Sequence, residues 1–327
     1  MLLGSVAFAS IVQNPSRAQI MSDEPMPLLP ITSDATVASC AALPLRPTDV
    51  FICSYPKSGT TWMQHIVHTL VSDGASPLEH ISEACPFFEV DRTWSTERPG
   101  ELTESVQANH DRLGRRCFNT HLRWEMMPRN HPEARYVYMT RRGRDACVSF
   151  YHHLSHQAVE DGGYTGNLEQ FIADWTGGTV PFGSWSAHLK SWLGGAAATD
   201  PRVLVVSYEA LKADLAGEVR RVAAHLGLGL SDARVDELLP RFTFEWMRTN
   251  EAQFNPRSVR WVASAEDLTR QAEGGGGGGD DAFHFIRRGE VGEGKERFSE
   301  AQGVLFDAMV KRTFPDGPPP YLAGLAD

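Results

Sequence analysis

Four apolar runs along the chain give its predicted framework. Residues 50–53 form a continuous apolar run typical of a buried strand, and residues 63–70 then alternate apolar and polar positions at near-helical spacing. Residues 136–139 alternate and are β-prone, whereas residues 202–207 are nearly all apolar, as in the middle of a parallel sheet. A further strand is predicted at 115–121. The pattern favours an α/β fold in which a central parallel sheet is flanked by helices.

Changes in composition suggest the domain boundaries. Residues 1–44 are rich in Pro, Ser and Ala and lack clear periodicity, so we expect a flexible or loosely docked extension. Residues 45–327 are expected to form a single P-loop-like domain. Within it, residues 250–285 have no regular pattern and contain a run of six glycines at 274–279, which indicates a lid-like loop with a Gly-rich insertion.

The N-terminal residues and the composition narrow the class of protein. The apolar stretch at 2–12 is too short to span a membrane, and no Lys or Arg precedes it, which argues against a secretory signal but leaves an organelle-targeting segment open. A net charge of −10 argues against non-specific nucleic-acid binding. Five cysteines without metal-ligand spacing favour free thiols in a reducing compartment, and hence a cytoplasmic location.

The stretch at 55–62, Tyr-Pro-Lys-Ser-Gly-Thr-Thr-Trp, joins the first strand to the first helix of the predicted domain. Hydroxyl side chains and Lys57 stand at a helix start whose free N–H groups attract anions. The alternative is a capped helix with a solvated lysine. The stretch differs from the triphosphate loop G-x-x-x-x-G-K-[ST], because Lys57 precedes Gly59. We therefore predict a phosphate-type anion site of a different kind.

This octet resembles the 5′-phosphosulfate loop of the cytosolic-type sulfotransferases, whose donor is 3′-phosphoadenosine 5′-phosphosulfate (PAPS) and whose nucleotide product is PAP. The resemblance implies a sulfotransferase fold and the transfer of a sulfuryl group to a small organic acceptor without a metal ion. It also implies that the 5′-phosphosulfate is bound by Lys57, Ser58, Gly59, Thr60 and Thr61, with Lys57 stabilising the leaving phosphate.

The stretch Asn119-Thr120-His121-Leu122 follows the predicted second strand, at the sheet edge where ligands gather. It is similar to the family's Lys-Thr-His-Leu-Pro stretch, which carries the general base. The resemblance implies that His121 is catalytic. Asn119 stands where the family has a lysine that assists the transfer, so slower turnover is one expectation and compensation by Arg123 another.

Two further stretches resemble the family's 3′-phosphate site. Arg141, Asp145, Val148, Ser149 and Tyr151 fall on the positions of its R-x-x-x-D-x-x-V-S-x-Y motif. The resemblance implies that Arg141 and Ser149 bind the 3′-phosphate. Independently of the family, an arginine cluster at a helix start fits either a bound anion or a solvated turn, and Asp145 is expected to cap that helix.

The second stretch, residues 287–295, is similar to R-K-G-x-x-G-x-W-K. It implies that Arg287, Arg288 and Gly289 bind the same phosphate. Gly294 replaces the family's tryptophan, which puts the local packing in question.

The resemblance also implies residues around the adenine ring. Trp62 and Phe244 are expected to sandwich the base. The other members of this predicted set are Tyr208, Thr243 and Met247.

Aromatic residues in the irregular stretch at 77–99 fit either core packing or the wall of an acceptor pocket. The stretch resembles the family's P-F-L-E region near that pocket, which favours the second interpretation. The predicted acceptor contacts are Phe87, Phe88, Trp94 and Phe150. A phenol, alcohol, steroid or amine is expected as the acceptor.

Three questions stay open at this point. Lys295 and Ser299 fit the family's dimer motif, but Glu300 and Val304 do not, so a monomer and a dimer are both possible. One alternative function is a P-loop kinase acting on a small molecule, although no Mg²⁺ signature is present. The other is a nucleotide-binding homologue without catalysis, which Asn119 would explain.

Overall fold

The computed structural model describes residues 26–264 and 284–326. Its centre is a four-stranded parallel sheet with the strand order β2-β1-β3-β4. The strands are β1 Val50–Ser54, β2 Cys117–Thr120, β3 Arg135–Thr140 and β4 Val203–Ser207. The predicted α/β fold with a central parallel sheet is therefore confirmed.

The strand register brings four chain segments to one edge of the sheet. Cys53 of β1 pairs with Thr120 of β2 and with Tyr138 of β3, and Thr140 of β3 pairs with Ser207 of β4. The residues that follow each strand consequently meet beyond the carboxyl ends. Ligands of open α/β sheets bind in this crevice.

Helices cover both faces of the sheet, as a parallel sheet requires. Several begin with side-chain caps, including Ser33, Asn167, Ser184 and Ser299. The α-helices of the described residues are α1 Asp34–Ala42, α2 Thr60–Val71, α3 Ile81–Ala84, α4 Glu104–Leu113, α5 Gly143–Leu154, α6 Leu168–Gly177, α7 Trp185–Leu193, α8 Tyr208–Ala213, α9 Leu215–His225, α10 Asp232–Leu238, α11 Phe244–Thr249, α12 Glu293–Arg297 and α13 Glu300–Thr313.

The core has two main parts, one on each face of the sheet. Neighbouring strand residues point to opposite faces, so Phe51 joins an aromatic cluster with Phe118 and Tyr136, whereas Ile52 joins an aliphatic cluster with Val137. Burial on both faces explains why the strands read as continuous apolar runs.

Residues 26–44 are part of the folded domain, whereas the sequence favoured a loosely docked extension as far as residue 44. Leu29, Cys40 and Leu43 are buried in the aromatic part of the core. The backbone N–H of Phe182 donates to the carbonyl of Pro27 at 2.6 Å. Three apolar side chains among many prolines carried too little periodicity to reveal this packing. Residues 1–25 and the glycine run lie outside the described residues.

All five cysteines are buried free thiols, whereas the sequence predicted burial for only the three in apolar runs. Within the described residues, no helix is long and apolar enough to cross a membrane.

Candidate active site

The turn between β1 and α2 has an unusual backbone that only a few residue types allow. Gly59 has a φ of 95° and Lys57 a φ of 65°. A Cβ atom on Gly59 would lie 2.9 Å from the ring of Tyr208, so glycine is required there for two reasons. Helix α2 begins at the next residue, and its N-terminus opens into a cavity beyond the sheet.

This cavity, of about 550 Å³, gathers most of the residues that the sequence predicted for the site. They come from the ends of all four strands and from segments far apart in the chain. The predicted site residues that line it are Lys57, Gly59, Thr60, Thr61, Trp62, Phe87, Asn119, His121, Arg141, Ser149, Phe150, Tyr208, Phe244, Met247, Arg287, Arg288 and Gly289.

At one end of the cavity, Arg141 joins the two predicted anion sites. Its Nη1 donates to the carbonyl of Lys57 at 2.9 Å, and its Nη2 donates to the carbonyl of Glu290 at 3.2 Å. The guanidinium lies 4.6 Å from the centre of the Tyr208 ring. The turn after β1 and the segment before α12 are thus held together by one arginine.

Asp145 has a different role from the predicted helix cap. Helix α5 begins at Gly143, so Asp145 lies in its first turn, and its carboxylate accepts the backbone N–H groups of Gly292 at 2.8 Å and Gly294 at 2.6 Å. A Cβ on Gly294 would lie 2.2 Å from the backbone carbon of Arg144. The absence of a side chain at Gly294 therefore allows this close packing.

Two buried polar atoms near this end lack a hydrogen-bond partner among the described residues. They are Oγ of Ser58 and Nε of Arg141. Arg141 lines the cavity, whereas Ser58, which was predicted for the site, lies behind its wall in the turn. Buried donors of this kind normally have partners, and a bound anion would supply them. Arg287 and Arg288 also face the cavity, and both currently pair with the carboxylate of Glu293.

Aromatic rings form the far wall of this end. Trp62 donates its Nε1–H to the carbonyl of Phe242 at 2.8 Å and meets Tyr208 edge to face at 5.5 Å. Phe244 lies directly against the backbone of Gly289, where a Cβ would be 2.5 Å from the ring. Thr243 does not line the cavity, because its side chain caps α11 by accepting the N–H of Trp246 at 3.3 Å.

His121 stands in the middle of the cavity with a fixed orientation. Its Nδ1 lies 2.8 Å from the carbonyl of Ser54, so Nδ1 carries the proton and Nε2 keeps a free lone pair. Its backbone N–H donates to Oε1 of Glu89 at 2.6 Å, and its carbonyl accepts from Nε2 of His188 at 2.9 Å. Burial, together with the charge of Lys57, lowers the pKa of His121 to about 4. The ring is therefore a neutral base at physiological pH.

Two residues that hydrogen-bond to the backbone of His121, Glu89 and His188, were not predicted to have this role. Glu89 is fully buried, and burial raises the pKa of its carboxyl to about 7. His188 is fixed in turn by the hydroxyl of Tyr138, 2.9 Å from its Nδ1. Glu89 ends the Pro-Phe-Phe-Glu stretch that resembles the family's P-F-L-E region, but no role was predicted for it. His188 stands in no motif that the sequence reasoning singled out.

Lys57 reaches the same region from the turn. Its Nζ lies 3.4 Å from Nδ1 of His153 and 4.3 Å from the centre of the Phe285 ring. Burial, and then the charges of Arg141 and Arg287, lower the pKa of Lys57 to about 7. His153 was not predicted for the site, although its position four residues after Ser149 places both on one face of α5.

Asn119 lines the cavity but also braces the neighbouring loop. Its side-chain Nδ2 donates to the carbonyl of Cys85 at 2.8 Å, and its backbone carbonyl accepts the N–H of Phe88 at the same distance. The side-chain amide thus contacts the start of the segment that carries Phe87, and the backbone contacts its end. It brings no positive charge to the cavity.

Aromatic and aliphatic side chains line the cavity beside the ring of His121. Phe87 and Phe182 meet the ring of His121 edge-on, with centroids 5.3 and 5.0 Å away. Phe150 lines this part of the cavity, and so do residues that the sequence did not predict: Leu29, Val90, Val106, Leu154 and Phe182.

Phe88 and Trp94 were predicted to contact the acceptor, but the structure places both in the core instead. Phe88 packs edge to face with Phe51, and Trp94 donates its Nε1–H to the carbonyl of Phe88 at 2.7 Å. Adjacent extended residues point in opposite directions, so Phe87 faces the cavity while Phe88 faces away from it.

Among residues 26–264 and 284–326, no group of three His, Cys, Asp or Glu side chains is arranged to hold a metal ion. His152, His153 and His156, which lie in or just after the last turn of α5, form no such group either.

Comparison with known proteins identifies the sequence family. The model of the sulfotransferase domain family matches residues 47–318 of this chain. Human sulfotransferase 1E1 is 29% identical over 271 residues, which span 81% of this chain and 83% of the relative. Human sulfotransferase 1C2 is also 29% identical, over 276 residues that span 82% of this chain and 83% of the relative.

Solved structures show the same fold. Retinol dehydratase in a complex with retinol and PAP superimposes with a TM-score of 0.66 at 26% identity, covering 87% of this chain and 86% of that protein. The same enzyme, in complex with androsterone and the inactive cofactor PAP, gives a TM-score of 0.66 at 25% identity over the same shares. Mouse sulfotransferase SULT7A1 complexed with PAP shares the fold, with a TM-score of 0.65 at 22% identity over 90% of this chain and 94% of that protein.

Proposed function

This chain belongs to the sulfotransferase family and is a sulfotransferase, and we propose that it transfers the sulfuryl group of PAPS to a hydroxyl or amine of a small apolar acceptor. The observation that carries the proposal is one cavity that has a cationic end and an aromatic end, both next to His121. The cationic end is formed by Lys57, Arg141, Arg287 and Arg288, and the aromatic end by Phe87, Phe150 and Phe182. Donor and acceptor can then be held on opposite sides of one base.

The cationic end fits the two phosphate positions of the donor. The N-terminus of α2, Lys57 and the hydroxyls of Ser58, Thr60 and Thr61 would bind the 5′-phosphosulfate. Arg141 and Ser149 would bind the 3′-phosphate together with residues 287–289. The unpartnered Nε of Arg141 supports this assignment, because a guanidinium suits bidentate contact with a phosphate. PAP in the related structures supports it as well.

The aromatic side chains that lie beside the cationic residues, at the same end of the cavity, fit the adenine ring of the donor. Trp62 and Phe244 would contact the faces of the base, with Tyr208 and Met247 at its margin. Flat π faces suit a purine regardless of its hydrogen-bonding edge. Thr243 would act only through the helix α11 that it caps.

In the transfer step, Nε2 of His121 would take the proton of the acceptor O–H or N–H group. The acceptor atom then forms a bond to sulfur while the bond from sulfur to the bridging oxygen of the 5′-phosphate breaks. Negative charge develops on that oxygen, and the Lys57 ammonium and the α2 N-terminus would stabilise it. PAP and the sulfated acceptor are the products.

Asn119 contributes no charge to this step, unlike the lysine of the family motif. Its amide is bonded to Cys85, so we propose that its role is to hold the loop beside His121. Residual cationic stabilisation would come from Lys57.

The acceptor end supports an apolar molecule that presents one hydroxyl or amine to His121. Its lining by Phe87, Phe150 and Phe182 suits a hydrocarbon or aromatic skeleton. Retinol and androsterone in the retinol dehydratase structures are molecules of this type. A cytoplasmic location and the lid at 250–285 remain predictions.

The test is transfer from PAPS labelled with ³⁵S to a panel of phenols, steroids, primary alcohols and arylamines. We expect a labelled product with at least one apolar acceptor and none without the protein. Mg²⁺-dependent transfer of the γ-phosphoryl group of ATP to these acceptors, without transfer of ³⁵S, would instead indicate a kinase. Tight PAP binding without transfer to any acceptor would indicate a binding protein that has lost catalysis.

A further inference from the structure

His153 lies where the cationic and aromatic ends of the cavity meet. It projects from α5 one turn after Ser149 and lines the cavity with Lys57 and His121. Its ring meets Trp261 at 5.1 Å and Phe285 at 5.9 Å, both edge to face. No step of the proposed mechanism has so far used this side chain.

The partner of His153 is the ammonium of Lys57, 3.4 Å from its Nδ1. Across the described residues, no carboxylate lies within ion-pair distance of Lys57, and the nearby charges of Arg141 and Arg287 are of the same sign. A neutral imidazole accepts a hydrogen bond from the ammonium without cancelling its charge. A carboxylate at this position would neutralise the lysine and repel an anionic donor.

The tautomer of His153 follows from this contact. An ammonium only donates, so Nδ1 accepts and the ring proton is on Nε2. Burial, together with Lys57, His121 and His156, holds the pKa of His153 well below its usual range. The ring therefore stays neutral and keeps its lone pair available to Lys57.

We propose that His153 is a positioning residue that holds the Lys57 ammonium at the junction between the two ends of the cavity. The proposal rests on the proposed function, in which this ammonium meets the leaving phosphate. Without His153 the four-carbon chain of Lys57 would sample other rotamers, and its charged form would lose a hydrogen bond.

The two substitutions at His153 that test this differ in whether the new side chain can accept a hydrogen bond from Lys57. His153→Phe keeps an aromatic ring between Trp261 and Phe285 but has no acceptor. His153→Asn places an amide oxygen near the former Nδ1 and restores an acceptor. His152→Phe is the matched control, because His152 is the preceding residue on α5 and does not line the cavity.

The first measurement needs neither donor nor acceptor. The chain has five lysines, so ¹³C-lysine labelling gives few Cε signals, and the Lys57 signal is identified by its loss in Lys57→Arg. We expect Lys57 to titrate about one pH unit lower in His153→Phe than in the unchanged protein, and close to the unchanged value in His153→Asn. An unchanged titration in His153→Phe, or an equal shift in His152→Phe, would overturn the proposal.

The second measurement is steady-state transfer. We expect kcat to fall about tenfold in His153→Phe, with the Kd of PAP within about threefold, because an acceptor of the Lys57 ammonium is lost while the 3′-phosphate ligands remain. His153→Asn should recover most of kcat. If kcat falls equally in His153→Phe and His153→Asn, the hydrogen bond from Lys57 to His153 has no role in transfer. If the titration shifts as expected but no acceptor is sulfated by the unchanged protein, the proposed function fails while the His153–Lys57 contact stands.

Discussion

The two ends of the cavity are built in different ways. The cationic end is a network of hydrogen bonds that ties backbone to charged side chains, as in the contacts from Arg141 to Lys57 and from Asp145 to Gly292 and Gly294. The aromatic end is a wall of ring edges and aliphatic side chains contributed by segments as distant as Leu29 and Val259. The cationic end is held in place by directional hydrogen bonds, whereas the aromatic end is defined mainly by the packing of apolar side chains.

This difference bears on how each end can vary. A hydrogen-bonded cradle loses binding when one donor is displaced, because the groups left unpaired are buried. An apolar wall tolerates exchange of one side chain for another of similar volume. The cationic end therefore suits a donor of fixed structure, and the aromatic end suits acceptors that differ between relatives.

The largest effect is expected at the boundary between the two ends. His121→Ala removes the proposed base, so kcat should fall by about 10² to 10⁴-fold. Because the phosphate ligands remain, the Kd of PAP measured by calorimetry should change little. A variant that keeps normal turnover, or one that loses PAP binding to the same extent, would show that His121 does not divide the cavity by function.

A large effect confined to the cationic end is expected from Arg141→Ala. Loss of charge-assisted hydrogen bonds should raise the Kd of PAP by about 10 to 100-fold. The affinity for adenosine 5′-phosphate, which lacks the 3′-phosphate, should fall far less. Arg142→Ala is the matched control, since its side chain does not line this cavity. Equal losses for both nucleotides would argue that Arg141 only supports the turn at Lys57.

The aromatic end is tested by two neighbouring residues that point in opposite directions. Phe87→Ala should raise the KM of an apolar acceptor by about tenfold while leaving PAP binding unchanged. Phe88→Ala should instead lower the free energy of unfolding by about 3–5 kcal/mol, seen in denaturant titration, without changing the ranking of acceptors. An altered acceptor ranking in Phe88→Ala alone would reverse the assignment of the two rings.

The smallest effect is the pH dependence of kcat/KM. His121 must be neutral, and because its pKa is lowered to about 4, activity should persist at pH values well below the usual histidine pKa. Lys57 must be protonated, and because its pKa is lowered to about 7, activity should decline by several-fold between about pH 7 and 8. A fall in kcat/KM on acidification, with its midpoint near pH 6.5, would mean that His121 is not a buried base with a lowered pKa.

The strands and the phosphate turn were predictable because their signals are local. Continuous apolar runs mark strands buried on both faces, and the octet at 55–62 contains both the glycine and the hydroxyls that its turn needs. The motif at Arg141 was likewise identified, but the role of Asp145 was not, since its partners Gly292 and Gly294 are 147 and 149 residues away.

Gly294, one of the partners of Asp145, shows the same limit of reasoning from the sequence alone. In the sequence it departs from the family pattern and raises a doubt about packing. In the structure its missing side chain lets the backbone approach Arg144 and donate to Asp145. Whether a departure from the family motif disturbs the packing depends on which residues contact that position in the fold, and a single sequence does not give those contacts.

By itself, the sequence determined the parallel α/β framework, the family, and the identity of most of the residues proposed to hold the donor. These depend on periodicity and on short motifs, whose physical causes lie within a few residues of one another. Only the tertiary structure decided that Phe87 and not Phe88 faces the cavity, that residues 26–44 are part of the folded domain, and that His153 reaches Lys57. Each of these depends on which side chains meet across separate elements, and such meetings are set by packing in three dimensions rather than by neighbours in the chain.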